Sequence, residues 1–278
     1  MTTPPPTTFA PGVRLGVIGA GAMGRAILRG LLASGVAADQ LWAATRSADS
    51  AAAVERELGV RSSDAYAAFI AASDVLVLAV KPAQLARVLA YLGRSGLRPD
   101  TLVISVAAGT TIERIEGELA TPNPVVRVMS NTPCFVGEGM SAISAGTNAG
   151  AEHVALAEAI FSAVGTCIVL DERYLDAVTA LSGSGPAYVY LIVEALADAG
   201  VRVGLPRDVA LALVTQTVLG SAKMIRMSER HPAALRDDVT TPAGCTIGAL
   251  LVLEDGKIRS VLARAVEEAV RVLGTMPR

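Results

Sequence analysis

Histidine and cysteine are scarce: two histidines and three cysteines occur in 278 residues. His153 sits in a helical stretch and His231 precedes Pro232, neither with an acidic partner at motif spacing. H-E-x-x-H, paired cysteines and G-x-S-x-G are all missing, so neither a metal site nor a hydrolase triad is expected. Cys134, Cys167 and Cys245 are scattered and odd in number, which suits reduced thiols in a cytoplasm better than a disulfide framework. All three read as small buried hydrophobes. Charge is also sparse, 24 basic against 26 acidic residues, so no electrostatic footprint for nucleic acid or an anionic membrane is present. The longest nearly uncharged stretch, residues 154–170, is broken by Glu158 and Gly165 and reads as helix, turn and strand rather than a membrane span. Residues 1–12 lack the basic start and apolar core of a signal peptide, and their Pro and Thr content predicts a disordered tail. The expectation is a cytoplasmic protein of two domains whose partners are a small molecule and another copy of itself.

What is present is organised around residues 14–33. Leu15, Val17 and Ile18 form a short apolar run suited to a buried parallel strand, which enters Gly19-Ala20-Gly21-Ala22-Met23-Gly24, a G-x-G-x-x-G turn. A helix follows, with Met23, Ile27, Leu28, Leu31 and Leu32 at helical spacing and Gly35 as its stop. Gly19 permits the tight turn, Gly21 lets a pyrophosphate approach the backbone, and Gly24 lets helix and strand pack closely. The free N–H groups of the helix start then face the anion. After a second strand, residues 41–44, an acid that would bind the ribose 2′-OH of NAD is missing; Ala44 and Thr45 stand there, followed by Arg46 and Ser47. An arginine at this point accommodates the 2′-phosphate of NADP. Helices are expected over residues 49–58 and 64–72, and strands over 75–80, 102–106 and 125–129. Lys81-Pro82 and Ala107-Ala108-Gly109 terminate two of these strands, at the crevice where such sheets bind ligands. Strands alternating with helices predict an α/β fold, a doubly wound parallel sheet ending near residue 170.

From Glu172 strand-like runs vanish, and amphipathic segments over residues 174–181, 186–199, 207–230 and 256–273 predict an all-helical half. Two breaks interrupt it, Ser182-Gly183-Ser184-Gly185-Pro186 and residues 237–250. In the second, the hydroxyls of Thr241 and Thr246 and the N–H groups of Gly244, Cys245 and Thr246 make a compact carboxylate site without a basic side chain. Hydride transfer to a substrate that is already positively charged needs little acid catalysis, and a protonated cyclic imine acid fits such a site.

These segments, together with Leu78-Ala79-Val80-Lys81-Pro82, Arg127-Val128-Met129-Ser130-Asn131-Thr132-Pro133, Leu181 to Tyr188 and Asp238 to Thr246, resemble the pyrroline-5-carboxylate reductase family over nearly the whole chain. The resemblance implies reduction of Δ1-pyrroline-5-carboxylate to L-proline with NADPH, NADH being possible, the last step of proline biosynthesis. It implies a Rossmann domain over residues 13–171 and a helical substrate-binding and dimerisation domain over residues 172–278, giving a homodimer or a higher homo-oligomer. It assigns Gly19, Ala20, Gly21, Ala22, Met23 and Gly24 to the pyrophosphate and Thr45, Arg46 and Ser47 to the adenosine phosphate. Ala79, Val80, Lys81, Pro82, Ala107 and Ala108 fall to the nicotinamide side. Glu172, Ser184, Thr241, Gly244 and Cys245 fall to the substrate, with Thr246 near its nitrogen as the catalytic residue. Ser130 and Ala243 depart from the family pattern, which has proline and glycine there. Two other readings stay open: a two-domain reductase of hydroxyacids using Lys223 as its acid, and a dinucleotide sensor without turnover.

Overall fold

The computed structural model describes residues 12–275, so the tail expected over residues 1–12 lies outside the described residues except for Gly12. Two compact units form. The first contains β1 (Leu15–Ile18), α1 (Ala22–Ala33), β2 (Leu41–Ala44), α2 (Ala48–Leu58), β3 (Arg61–Ser63), α3 (Ala67–Ala72), β4 (Val75–Leu78) and α4 (Pro82–Leu92). It continues through β5 (Leu102–Ser105), α5 (Ile112–Glu118), β6 (Val125–Ser130), β7 (Gly139–Ala145), α6 (Ala151–Ser162), β8 (Gly165–Val169) and α7 (Leu175–Val178). This unit runs to Gly183 and takes in the chain from Val272.

Its eight strands are ordered β3-β2-β1-β4-β5-β6-β7-β8. The first six are parallel, which requires a crossover between each sequential pair, and helices supply it. Side chains alternate to the two faces. Val17, Val77, Ile104, Val128 and Ile143 pack with Ile27, Leu31, Val54 and Phe161 from α1, α2 and α6. Ile18, Leu76, Leu78 and Val103 pack with Ile70, Leu85, Leu89 and Ile115 from α3, α4 and α5. Both faces are therefore covered, which is why β1, β2, β4 and β5 are buried along their whole length and almost entirely apolar.

Three details differ from the sequence expectation. β3 and β7 were not anticipated: β3 is a three-residue polar edge strand, and β7 is mostly small residues, whose buried Ser141 and Ser144 bond to Ser130 and the Leu170 carbonyl. β7 pairs antiparallel to β6, so the sheet is not parallel throughout. Residues 131–138 between them hold only a short 3₁₀ turn, too little chain for a crossover, whereas α6 returns the chain so that β8 joins β7 in parallel. The helix expected over residues 64–72 starts only at Ala67, because Ser63 Oγ accepts the Ala65 N–H and holds an extended turn.

The second unit, Ser184–Arg271, holds α8 (Gly185–Arg202), α9 (Arg207–Ser228), α10 (Pro232–Asp238), α11 (Cys245–Asp255) and most of α12 (Ile258–Gly274). Helix α10 occupies the start of the segment read as a loop over residues 237–250. Large apolar side chains stand exposed along these helices, among them Leu191, Leu213, Leu251 and Val252, and α11 and α12 bury no residue. By length and composition α9 could cross a membrane, a helix that the sequence reading did not single out in that respect.

Candidate functional site

The glycine turn sits at the carboxyl end of β1, and its backbone ties the ends of three strands together. Gly19 adopts φ +101° and donates its N–H to the Ala44 carbonyl at 3.0 Å, while Ala79 donates to the Ile18 carbonyl at 2.8 Å. The turn is thus joined on one side to Thr45-Arg46-Ser47 and on the other to Ala79-Val80-Lys81. On the far side of β4, Val106 donates to the Leu78 carbonyl, which sets Ala107 and Ala108 along the same edge. All the residues expected to touch the cofactor therefore share one edge of the sheet.

At Gly19 and Gly24 the turn has no room for a side chain, whereas the space at Gly21 is open. A Cβ at Gly24 would lie 2.2 Å from the Gly19 carbonyl oxygen, so only glycine lets α1 seat this closely on β1. Gly21 caps α1 without any side-chain hydrogen bond, and the N–H groups of Ala22, Met23 and Gly24 point out of the helix start uncapped. In α2 and α5, by contrast, Ser47 and Thr111 bond to backbone N–H groups of the first turn. Ser47 thus already serves as a helix cap, and Thr45 Oγ1 donates to the Ser47 carbonyl, fixing the loop from which Arg46 projects. Arg46 is exposed, and no ion pair holds it among the described residues, whereas Arg25 and Arg29 are both engaged by Glu57. A free guanidinium beside an uncapped helix start fits the extra phosphate of NADP. Lys81 is exposed at the cap of α4, with Pro82 as the first helical residue.

Glu172 is placed differently from a bare substrate contact. Arg127, on β6, is 4% exposed, and Glu172 Oε1 accepts from it at 2.8 Å. The same oxygen accepts the Ile112 N–H at 2.7 Å, and Asp176 stands 3.8 Å from the guanidinium. The carboxylate therefore neutralises a buried arginine and caps α5. It also lines an open groove of about 560 Å³ with Ile112, Glu116, Thr147 and Leu170, which no residue expected to hold the cofactor lines.

In the second unit Ser184 precedes α8, and the loop from Thr241 to Thr246 runs into α11. Gly244 donates to the Thr241 carbonyl at 3.0 Å, closing a four-residue turn with Pro242 at its second position and Ala243 at its third. Ala243 has φ +57°, the left-handed conformation that such a turn demands at the third position and that alanine adopts at a cost of about 1 kcal/mol. α11 starts with no side-chain cap, leaving the N–H groups of Cys245 and Thr246 available beside the Thr241 hydroxyl. Cys245 is exposed at this helix start, which corrects the expectation that all three thiols are buried. Cys134 is buried as expected and Cys167 half-buried: burial raises the Cys134 thiol above its ordinary range and pushes Cys167 up to about 11. Lys223, the acid of the alternative reading, is an exposed residue within α9. Both histidines act as local caps, His153 Nδ1 accepting the Gly150 N–H and His231 Nδ1 the Ala233 N–H.

Sequence reasoning missed Arg127 as the partner of Glu172 and Asn131 as the partner of Ser182. The only signal for either was its place in the Arg127 to Pro133 motif.

Comparison with known proteins shows the family. Residues 172–276 match the family model "Pyrroline-5-carboxylate reductase dimerisation", and residues 14–109 match "NADP oxidoreductase coenzyme F420-dependent". The chain is 44% identical over 260 residues to the pyrroline-5-carboxylate reductase of Synechocystis, covering 93% of this chain and 96% of the relative. A solved pyrroline-5-carboxylate reductase from Coxiella burnetii superposes with a TM-score of 0.91 at 36% identity, covering 96% of this chain and 99% of that one. The Plasmodium falciparum pyrroline carboxylate reductase, solved with NADP bound, gives a TM-score of 0.83 at 31% identity over 94% of this chain and 97% of that one. With this identity across almost its whole length, and with the nucleotide turn and the helical half both in place, the chain belongs to the pyrroline-5-carboxylate reductase family.

Proposed function

We propose that the protein reduces Δ1-pyrroline-5-carboxylate to L-proline with NADPH, the last step of proline biosynthesis, in the cytoplasm and as a homodimer or larger homo-oligomer. The observation that carries this reading is that the chain has two helix starts without a side-chain cap, α1 behind a glycine turn and α11 behind a threonine turn. Each offers backbone N–H groups to an anion, the first to a pyrophosphate and the second to a carboxylate. When bound, NADPH supplies the hydride that adds to the imine carbon. Gly19 to Gly24 hold the pyrophosphate, Thr45, Arg46 and Ser47 the adenosine phosphate, and Ala79 to Pro82 with Ala107 and Ala108 the nicotinamide end. Ser184, Thr241, Gly244 and Cys245 hold the substrate, Glu172 borders it, and Thr246 orients its nitrogen. A protonated imine already carries the charge that hydride addition neutralises, so orientation by hydroxyl and N–H groups suffices and no side-chain acid is needed.

The helical half from residue 172 is the substrate-binding and dimerisation domain. Its bare apolar helices support this: a monomer rarely exposes so much contiguous apolar surface, and a second copy laid against α8, α9, α11 and α12 would remove it from water. The same contact accounts for the length and apolarity of α9 without a membrane.

Purified protein should consume NADPH when given Δ1-pyrroline-5-carboxylate and release proline. Nucleotide binding without turnover would overturn the substrate while leaving the dinucleotide fold. Thr246→Ala should lower kcat/KM by about tenfold, the scale of one net hydrogen bond. A loss of many orders of magnitude would mean that Thr246 takes part in the chemistry. Arg46→Ala should raise the KM for NADPH by about 10- to 100-fold, the worth of a hydrogen bond to a charged group, and leave that for NADH unchanged. Equal effects on both nucleotides would place Arg46 away from the 2′-phosphate.

A further inference from the structure

The strand-end motif from Arg127 to Pro133 has no part in the chemistry above, yet its Asn131 is the most heavily used amide at the carboxyl edge. Its Oδ1 accepts the Met140 N–H at 2.9 Å, and its Nδ2 donates to the Ser182 carbonyl at 3.2 Å and the Ser182 hydroxyl at 3.3 Å. The Met140 bond decides the orientation of the amide, since a backbone N–H requires the oxygen, and this turns the nitrogen towards Ser182. What it grips is unusual backbone. Residues Thr179–Gly183 form a π-helical turn, a rare conformation that concentrates at functional sites. From below, the Met129 side chain supports the same turn: a Cβ on Gly183 would come within 2.6 Å of Met129 Cε. Met129 on β6 and Asn131 just past its end thus clamp Ser182 and Gly183. The place matters, because β6 is the parallel neighbour of β5, paired through Ser105 and Arg127, and Ala107 follows the carboxyl end of β5 as Asn131 follows that of β6. The clamped turn therefore stands at the strand end next to the pair assigned to the nicotinamide, and it leads directly into Ser184.

Resting on the proposed reduction, we infer that Asn131 is a positioning residue for it: by fixing the Ser182–Gly183 backbone at the end of β6, it holds the turn that borders the strand ends assigned to the nicotinamide. It touches neither reactant. Its contribution is geometric, and reactions of this kind are steep in geometry, a displacement of about 1 Å costing up to about 100-fold.

The decisive variant is Asn131→Asp. It preserves the size and the acceptor for Met140 but replaces the donor facing Ser182 with an acceptor, so a carboxylate oxygen confronts the Ser182 carbonyl. The expected result is a loss of about tenfold or more in kcat/KM for the imine, most of it in kcat, with the NADPH dissociation constant and the thermal midpoint close to wild type. Ser182→Ala, which keeps the carbonyl bond, should stay within about twofold. Gly183→Ala tests the same turn from the other side: Met129 Cε is the mobile end of its side chain and can yield, so the variant folds, and the turn shifts with the same loss in kcat. It also serves if Asn131→Asp does not fold. Wild-type kcat in either folded variant, or a loss that follows NADPH affinity or thermal stability, would overturn the assignment. Absence of imine reduction by the wild-type protein would instead overturn the proposed function, and this inference with it.

Discussion

Replacing Gly24 with alanine is expected to weaken NADPH binding by about 100-fold or more and to remove turnover at ordinary cofactor concentrations. The added methyl would sit 2.2 Å from the Gly19 carbonyl oxygen and 3.0 Å from Val17 Cγ1. Neither can give way easily. Gly19 is held by its bond to the Ala44 carbonyl and faces the Ala79 carbonyl oxygen, while Val17 is fully buried in the core. Relief comes only if α1 lifts from β1, which withdraws the N–H groups of its first turn from the pyrophosphate. Losing two hydrogen bonds to a charged group, each worth about 1.5 to 3 kcal/mol, accounts for the size of the effect. Overpacking should also lower stability by about 1 to 3 kcal/mol. Fluorescence titration with NADPH, on protein shown by circular dichroism to be folded, measures the first effect. Affinity within threefold of wild type would mean that the pyrophosphate binds elsewhere.

Glu172→Ala is the second large effect, and it concerns stability. Removing this carboxylate leaves the buried Arg127 with Asp176, at 3.8 Å, as its one ion-pair partner among the described residues, and leaves the Ile112 N–H without its acceptor. Breaking one side of a buried ion pair costs about 3 to 5 kcal/mol, because the remaining charge stays away from water. At this chain length the thermal midpoint should fall by roughly 10 °C. Pairing the change with Arg127→Met should restore much of the loss, since no buried charge is then left uncompensated. A substrate contact alone would behave otherwise: Glu172→Ala would leave the midpoint unchanged and raise only the KM for the imine. Thermal unfolding of the single and double variants separates the two roles.

The two variants also mark how far the residues alone could be read. The glycine turn was legible because its chemistry is local: six consecutive positions between a strand and a helix need particular backbone conformations, and only certain residues adopt them. The helical half and the threonine loop were legible for the same reason, through apolar spacing and a Thr-Pro turn before a helix. β3 was not, because Arg61–Ser63 carries no apolar alternation; it is a strand only because β2 offers it an edge. Glu172 could be placed near a pocket but not given its partner, since Arg127 is 45 residues away in sequence and nothing local joins them.

By itself the sequence determined the parts whose causes lie within a few residues of one another: the strand–turn–helix start, the arginine that replaces an acid after β2, the alternation that builds the sheet, and the change to helices after residue 172. Tertiary structure decided what depends on distant groups meeting. It reversed β7 because the chain before it is too short to cross over, bound Glu172 to Arg127 because a buried guanidinium must be neutralised, and turned Asn131 onto Ser182 because a backbone N–H claimed its oxygen. Short-range steric rules act within any segment that contains them. Burial, charge pairing and strand order exist only once the sheet has closed around its core.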